Sequence, residues 1–151
     1  MELLVVIAAT AILSALVSIP LSTLQTQQGL NSAVNTTVTT LRRAQTQAMA
    51  GMYATTWNLH LSNGNGCALP SNNIWIYQGN DFAAVSTSDL TDKYSLPAGS
   101  KISAISIGGG CDVSFARYSG STTTTGTITL VDQNNTSKTI SINSYGRISP
   151  P

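Results

Sequence analysis

The chain changes character at about residue 22, where its hydrophobic positions stop being continuous and become periodic. From Leu3 to Ile19 lie 17 residues, all apolar except Thr10, Ser14 and Ser18. That length is the lower edge of what spans a bilayer as a helix, about 17 to 25 residues. From Leu21 the pattern turns amphipathic. Leu24, Leu30, Val34, Val38, Leu41, Ala44, Ala48 and Met52 recur at steps of three, four or six, while Gln25, Gln27, Gln28, Asn31, Thr36, Thr39, Arg42 and Gln45 fall largely off that stripe. The spacing predicts one helix from near Leu3 to about Tyr53, about 75 Å long, with Gly51 and the Thr55-Thr56 pair marking its end. Gly29 and Pro20 interrupt it. Pro20 has no N–H for the carbonyl of Leu16, so the pattern predicts a helix break, by kink or local melting, at Pro20. A helix with an all-apolar first half and a striped second half has two different neighbours. The second half packs on its own domain; the first is buried in lipid or among other copies of the chain.

Beyond the helix the period drops to two. Trp57, Leu59 and Leu61 alternate with Asn58, His60 and Ser62, and "IWIY" at 74–77 is dense in strand formers. "KISAISI", "CDVSFARY", "GTITLV" and "KTISI" follow, the last ending near residue 142. Turn clusters separate them: Ser62 to Gly66, Gly108 to Gly110, and Asp132 to Asn135. The expected fold is α+β, the long helix lying against five to seven short antiparallel strands with one polar face. The tract "SGSTTTTG" at 119–126 reads as an exposed loop.

Composition narrows the function classes. Net charge is +1, and only 9% of residues are charged, against about a quarter in an average soluble protein. Ser, Thr, Asn and Gln therefore carry the solubility. No basic cluster exceeds Arg42-Arg43, so a nucleic-acid binder working through a basic field is disfavoured. No nucleophile elbow, phosphate loop or H-E-x-x-H is present, and no enzyme activity is expected. The six acids are Glu2, Asp81, Asp89, Asp92, Asp112 and Asp132. Asp89 and Asp92 lie in "STSDLTDKY", read as a solvated polar loop whose spacing is not that of an EF-hand. Two cysteines 44 apart with the single His60 do not make a zinc-like ligand set; no metal and no cofactor is expected. His60 is expected to face solvent or a neighbouring subunit.

The apolar run itself reads three ways. A signal peptide wants a positive flank and a small-residue cleavage site, but the flank is the acid Glu2. A single-pass anchor wants a basic residue near one end, but after Glu2 no charge appears until Arg42. The third reading is the long two-part helix. The stretch Glu2-Leu3-Leu4-Val5-Val6-Ile7-Ala8 closely resembles the N-terminus of type IV pilins and pseudopilins, Phe-Thr-Leu-x-Glu-Leu-Leu-Val-Val-Ile-Ala. Met1 takes the variable position, Glu2 the family glutamate, and Pro20 lies close to the family's helix-breaking proline. The family's first three mature residues and its leader have no counterpart here, so leader cleavage and N-methylation are not read from these residues. "LRRAQTQAMAG" and "TTWNLHLSNG" are similar to minor pilins and pseudopilins of the FimT and H-type group.

The resemblance implies a subunit that polymerises into a helical filament of identical chains. Glu2, Leu3, Leu4, Val5, Val6 and Ile7 would make the intersubunit contacts, Glu2 pairing with a neighbour's N-terminal amine. A boundary carboxylate is costly unless paired, and that partner needs no basic side chain. The implied location is a cell-surface filament with an inner-membrane pool before assembly, and the implied partners are prepilin peptidase and the pilus assembly machinery. A minor subunit at the tip of a type II secretion or DNA-uptake machine is the alternative. Residues 1–22 would form the transmembrane or filament-core helix, 23–54 its amphipathic continuation, and 55–151 a β-rich head. In an exported head, Cys67 and Cys111 would form a disulfide rather than remain two buried thiols. FimT-like proteins carry a C-terminal Gly-Arg-x-Arg; here Gly146-Arg147-Ile148-Ser149 keeps one arginine, leaving Arg147 as a weak DNA contact and nucleic acid an unexpected partner.

Overall fold

The computed structural model describes residues 2–51, 56–63, 67, 72–79, 81–84, 90–108 and 110–151; for residues 2, 4, 13, 15–23, 84, 90 and 91 it describes the backbone alone. One helix, α1, runs from Glu2 to Met49, about 70 Å at helical rise. Eight strands follow: β1 (Trp57–Leu61), β2 (Asn73–Gln78), β3 (Leu90–Ser95), β4 (Ser100–Ile107), β5 (Asp112–Phe115), β6 (Gly126–Asp132), β7 (Ser137–Ile142) and β8 (Ile148–Ser149). They form two four-stranded antiparallel sheets, ordered β3-β2-β1-β5 and β4-β6-β7-β8. The architecture is α+β.

The helix stripe faces both sheets. Leu30, Ala33, Val34, Val38, Leu41, Ala44 and Ala48 are buried, in one core with Leu59, Leu61, Ile74, Ile76, Val113 and Phe115 from the first sheet and Ile102, Ile128, Leu130, Ile140 and Ile142 from the second. A fully buried leucine such as Leu41 contributes roughly 2–3 kcal/mol. Thr37 and Thr40 share the buried face; their hydroxyls donate back to the carbonyls of Ala33 and Thr36, at 2.8 and 2.7 Å, which satisfies them without a partner outside the helix. Two cross-links tie sheets to helix. Arg43 pairs with Asp92 of β3 at 2.7 Å and donates to the Tyr94 hydroxyl, and Lys138 of β7 donates to Asn31.

Several expectations are corrected. Among the described residues the strands number eight, and the sequence pattern does not mark β3 and β8. Asp92, read as part of a solvated loop, sits on β3; its polar sequence carries little alternation, and pairing with β2 supplies the order. Asp89 lies outside the described residues. β8 is two residues paired with β7, too short for any period to show. Leu24 was placed on the buried stripe but is 54% exposed; the strands' side-chain cover begins past it, and the first fully enclosed stripe position is Leu30. Met52 and Tyr53 lie outside the described residues, and the described helix ends at Met49, where the N–H groups of Gly51 and Tyr118 both meet the Ala48 carbonyl.

The expectation of one polar sheet face also fails for the first sheet. Every position of β1 is buried, and so are Asn73 to Tyr77 of β2. A 3₁₀ turn, Phe82–Ala84, covers the outer face with Phe82. The 119–126 tract is likewise not a free loop: Gly120 and Thr122 are buried, and Thr122 bridges to Phe115 and donates its N–H to Ser144. At its end Gly126 has φ +150°, and a Cβ there would lie 1.9 Å from the Ser106 carbonyl oxygen, so the β4–β6 pairing admits only glycine.

Helical assignment continues through Pro20. In the single chain the proline does not end the helix, because the missing N–H removes one bond while the turns on both sides keep theirs. Among the described residues no helix is long and apolar enough to cross a membrane. In the apolar run, the side chains of residues 4, 13 and 15–19 lie outside the described residues.

Candidate functional site

Two surfaces stand apart from the packed core. The first is the N-terminal half of α1. Leu3, Val5, Val6, Ile7 and Ile12 are 55 to 74% exposed, with Leu3 at the upper value and Ile7 at the lower. Alanines 8, 9 and 11 between them are exposed too. The residues are helical because every N–H but the first few finds its carbonyl four back, and Thr10 and Ser14 turn their hydroxyls onto the carbonyls of Val6, Ile7 and Thr10. The hydroxyls of Thr10 and Ser14 are thus satisfied within the helix, and the described side chains around them present aliphatic surface. A patch of this kind on a soluble monomer marks a binding surface. Of the six expected assembly residues, Leu3, Val5, Val6 and Ile7 carry described exposed side chains; the side chains of Glu2 and Leu4 lie outside the description.

The second surface is an open cleft where the last turns of α1 meet the 143–150 segment, lined by Arg42, Gln45, Tyr145, Gly146, Arg147, Ile148, Ser149 and Pro150. One side chain and one turn build its floor. Gln45 Nε2 donates to the carbonyls of Gly120 and Gly146, 3.0 Å each, clamping two loops to the helix. The turn is fixed by Asn143, whose Oδ1 accepts from the N–H groups of Tyr145 and Arg147 at 3.1 and 2.9 Å. Gly146 has φ +75°, and a Cβ there would lie 2.2 Å from the Gly120 carbonyl oxygen. The rigid turn presents Tyr145, 84% exposed, and Arg147 outward. Neither the Arg42 nor the Arg147 guanidinium makes an ion pair or hydrogen bond among the described residues.

Arg147 was expected from sequence; Arg42 and Tyr145 were not, because residues about a hundred apart meet only through the Gln45 clamp. The one available signal was the Asn143-to-Gly146 turn composition, which predicts an exposed tip at Tyr145.

Cys67 and Cys111 form the expected disulfide, Cα to Cα 5.7 Å, and pin the segment after β1 to the start of β5. His60 is corrected from an exposed to a buried residue, 6% exposed. Its Nδ1 lies 2.8 Å from Asp112 Oδ1, which also accepts the Tyr77 hydroxyl at 3.1 Å, and its ring stacks 3.9 Å from Phe82. The outer face of β1 needs a polar group there because Asp112 of β5 lies opposite in register. Among the described residues His60 Nε2 is buried with no hydrogen-bond partner. Burial, then the neighbouring Asp112 carboxylate, push the Tyr77 phenol far above the ordinary tyrosine range. Among the described residues no group of three or more His, Cys, Asp or Glu is placed to hold a metal ion.

The chain matches no protein-family model, no curated protein and no solved structure.

Proposed function

We propose that this chain is a structural subunit of a type IV pilus-like filament, polymerising through the N-terminal half of α1. One observation carries the reading: a single helix buries its second half in the head while its first half holds out Leu3, Val5, Val6, Ile7 and Ile12 to solvent. Burying that surface among copies of itself removes apolar area from water at about 25 cal/mol per Å². The near absence of charge lets identical surfaces approach without repulsion. The sequence around Glu2 and its resemblance to the pilin N-terminus support the same reading, and with it a pilin-like fold, a membrane pool before assembly and a cell-surface filament. No catalytic step is part of this function.

The minor-subunit reading, a tip component of a secretion or DNA-uptake machine, rests on the "LRRAQTQAMAG" and "TTWNLHLSNG" segments. The two readings share the helix and differ in stoichiometry.

The test is assembly by the full chain in a host carrying pilus machinery. The native chain should appear as the main component of sheared surface filaments. Glu2→Gln should leave the protein folded and membrane-associated but lower filament yield at least tenfold, because a neighbour's buried amine loses its charge partner. Recovery only as a trace component would select the minor-subunit reading, and normal filament numbers from Glu2→Gln would reject the pairing.

A further inference from the structure

We propose that the cleft between Arg42 and Arg147 binds an acidic polysaccharide, a chain of sugar rings bearing carboxylates. The cleft brings together two exposed guanidinium groups from distant parts of the sequence, neither engaged by an acid. Arginine receives a carboxylate through two parallel N–H donors in a fixed fork, which suits a carboxylate more than a bare cation would. The described acids are occupied or placed elsewhere. Asp92 pairs with Arg43, Asp112 faces His60 and Tyr77, and Asp132 accepts the N–H groups of Asn134 and Thr136 in its own turn. None of them lines the cleft.

Apart from the two arginines the lining is uncharged. Tyr145 stands almost fully exposed on a turn that Asn143 and Gln45 hold rigid. A tyrosine ring offers a flat apolar face at low cost in conformational entropy, and the apolar face of a sugar ring is its natural partner. Ser149 adds a hydroxyl to the wall. Preorganisation matters here, since ordering a loop on binding would consume much of the affinity of so small a contact.

Charge density separates this ligand from nucleic acid. A single strand carries a phosphate every 3.4 Å or so, and its binders neutralise many of them; two contacts yield a salt slope of only about −1.4. The rest of the protein, at net charge +1, supplies no surrounding field. A carboxylated polysaccharide presents neutral ring surface as well as charges, and the cleft's lining joins its two arginines to otherwise neutral residues.

The inference does not depend on filament assembly, and its test uses the full chain dispersed in detergent micelles. Fluorescently labelled polygalacturonate, dextran of matched length and oligodeoxythymidylate are titrated separately at about 150 mM salt. The native chain should bind polygalacturonate and not dextran. Arg42→Ala and Arg147→Ala should each weaken binding at least tenfold, Tyr145→Ala several-fold, and Arg147→Lys less than Arg147→Ala. The four variants change exposed side chains at three positions, so circular dichroism should be unchanged. Absence of polygalacturonate binding, equal binding of dextran, tighter binding of the oligonucleotide, or indifference to both arginine variants would each overturn the proposal.

Discussion

His60 and Asp112 meet across the β1–β5 pair with Nδ1 and Oδ1 2.8 Å apart, on the outer face of a sheet whose two faces are both covered. The imidazole is 8% exposed and the carboxylate 29%, so this is a pair just beneath the surface, under the Phe82 ring. Removing the carboxylate strands two groups at once, the His60 ring and the Tyr77 hydroxyl. Asp112→Ala should therefore cost about 2–4 kcal/mol in chemical denaturation. Asp112→Asn keeps an acceptor oxygen and should cost less. An unchanged denaturation midpoint for Asp112→Ala would mean the trio does not hold the outer face together.

The raised Tyr77 phenol gives an alkaline signature. Burial is its main cause, followed by the Asp112 carboxylate, with Asp81 adding to it. Above about pH 10 the unfolded chain's phenol ionises while the folded one keeps its proton, so protons are lost on unfolding and stability falls as pH rises. Below pH 10 or so the contribution is fully present. Tyr77→Phe should flatten the decline between about pH 9 and 11 relative to the native chain, which shares the other four tyrosines. Parallel declines in denaturant midpoint would remove Tyr77 as the source.

The Cys67–Cys111 bridge spans a sequence separation of 44. In the chain-entropy account, closing a loop of that size stabilises by about 4 kcal/mol. Mass spectrometry without reductant should find the two cysteines joined, and a Cys67→Ala/Cys111→Ala double variant should lose that stability while keeping α1 helical by circular dichroism. Alkylation of both thiols in unreduced protein would show the bridge absent.

Pro20 separates the single chain from the polymer. Alone, α1 is helical on both sides of it. Surrounded by other helices, a short extended stretch between Ser14 and Thr23 can satisfy its freed backbone groups through hydroxyls such as those of Ser18 and Ser22, and rises about twice as far per residue as helix. A filament reconstruction should show the helix interrupted or bent in that interval, and Pro20→Ala should restore it. Unbroken i to i−4 bonding past Pro20 in the native filament would rule this out.

Local pattern determined much of this protein by itself. The 3.6 period from Leu30 to Ala48 located the buried helix face, since burial on one side of a helix leaves that repeat in the sequence. Alternation and turn residues located β1, β2, β4, β5, β6 and β7 for the same reason. The apolar half of α1 was legible because 17 nearly unbroken apolar residues, polar only at Thr10, Ser14 and Ser18, set it apart from the striped half.

What only the tertiary structure decided is what depends on long-range contact. β3 is polar and β8 is two residues long, so each is ordered by the strand beside it rather than by its own pattern. His60 looked exposed because its neighbours in sequence alternate; Phe82, 22 residues away, buries it. Arg42 and Arg147 share a cleft because Gln45 bonds two backbone carbonyls at once. Periodicity records which side of an element is covered, but it carries no record of which distant residue does the covering.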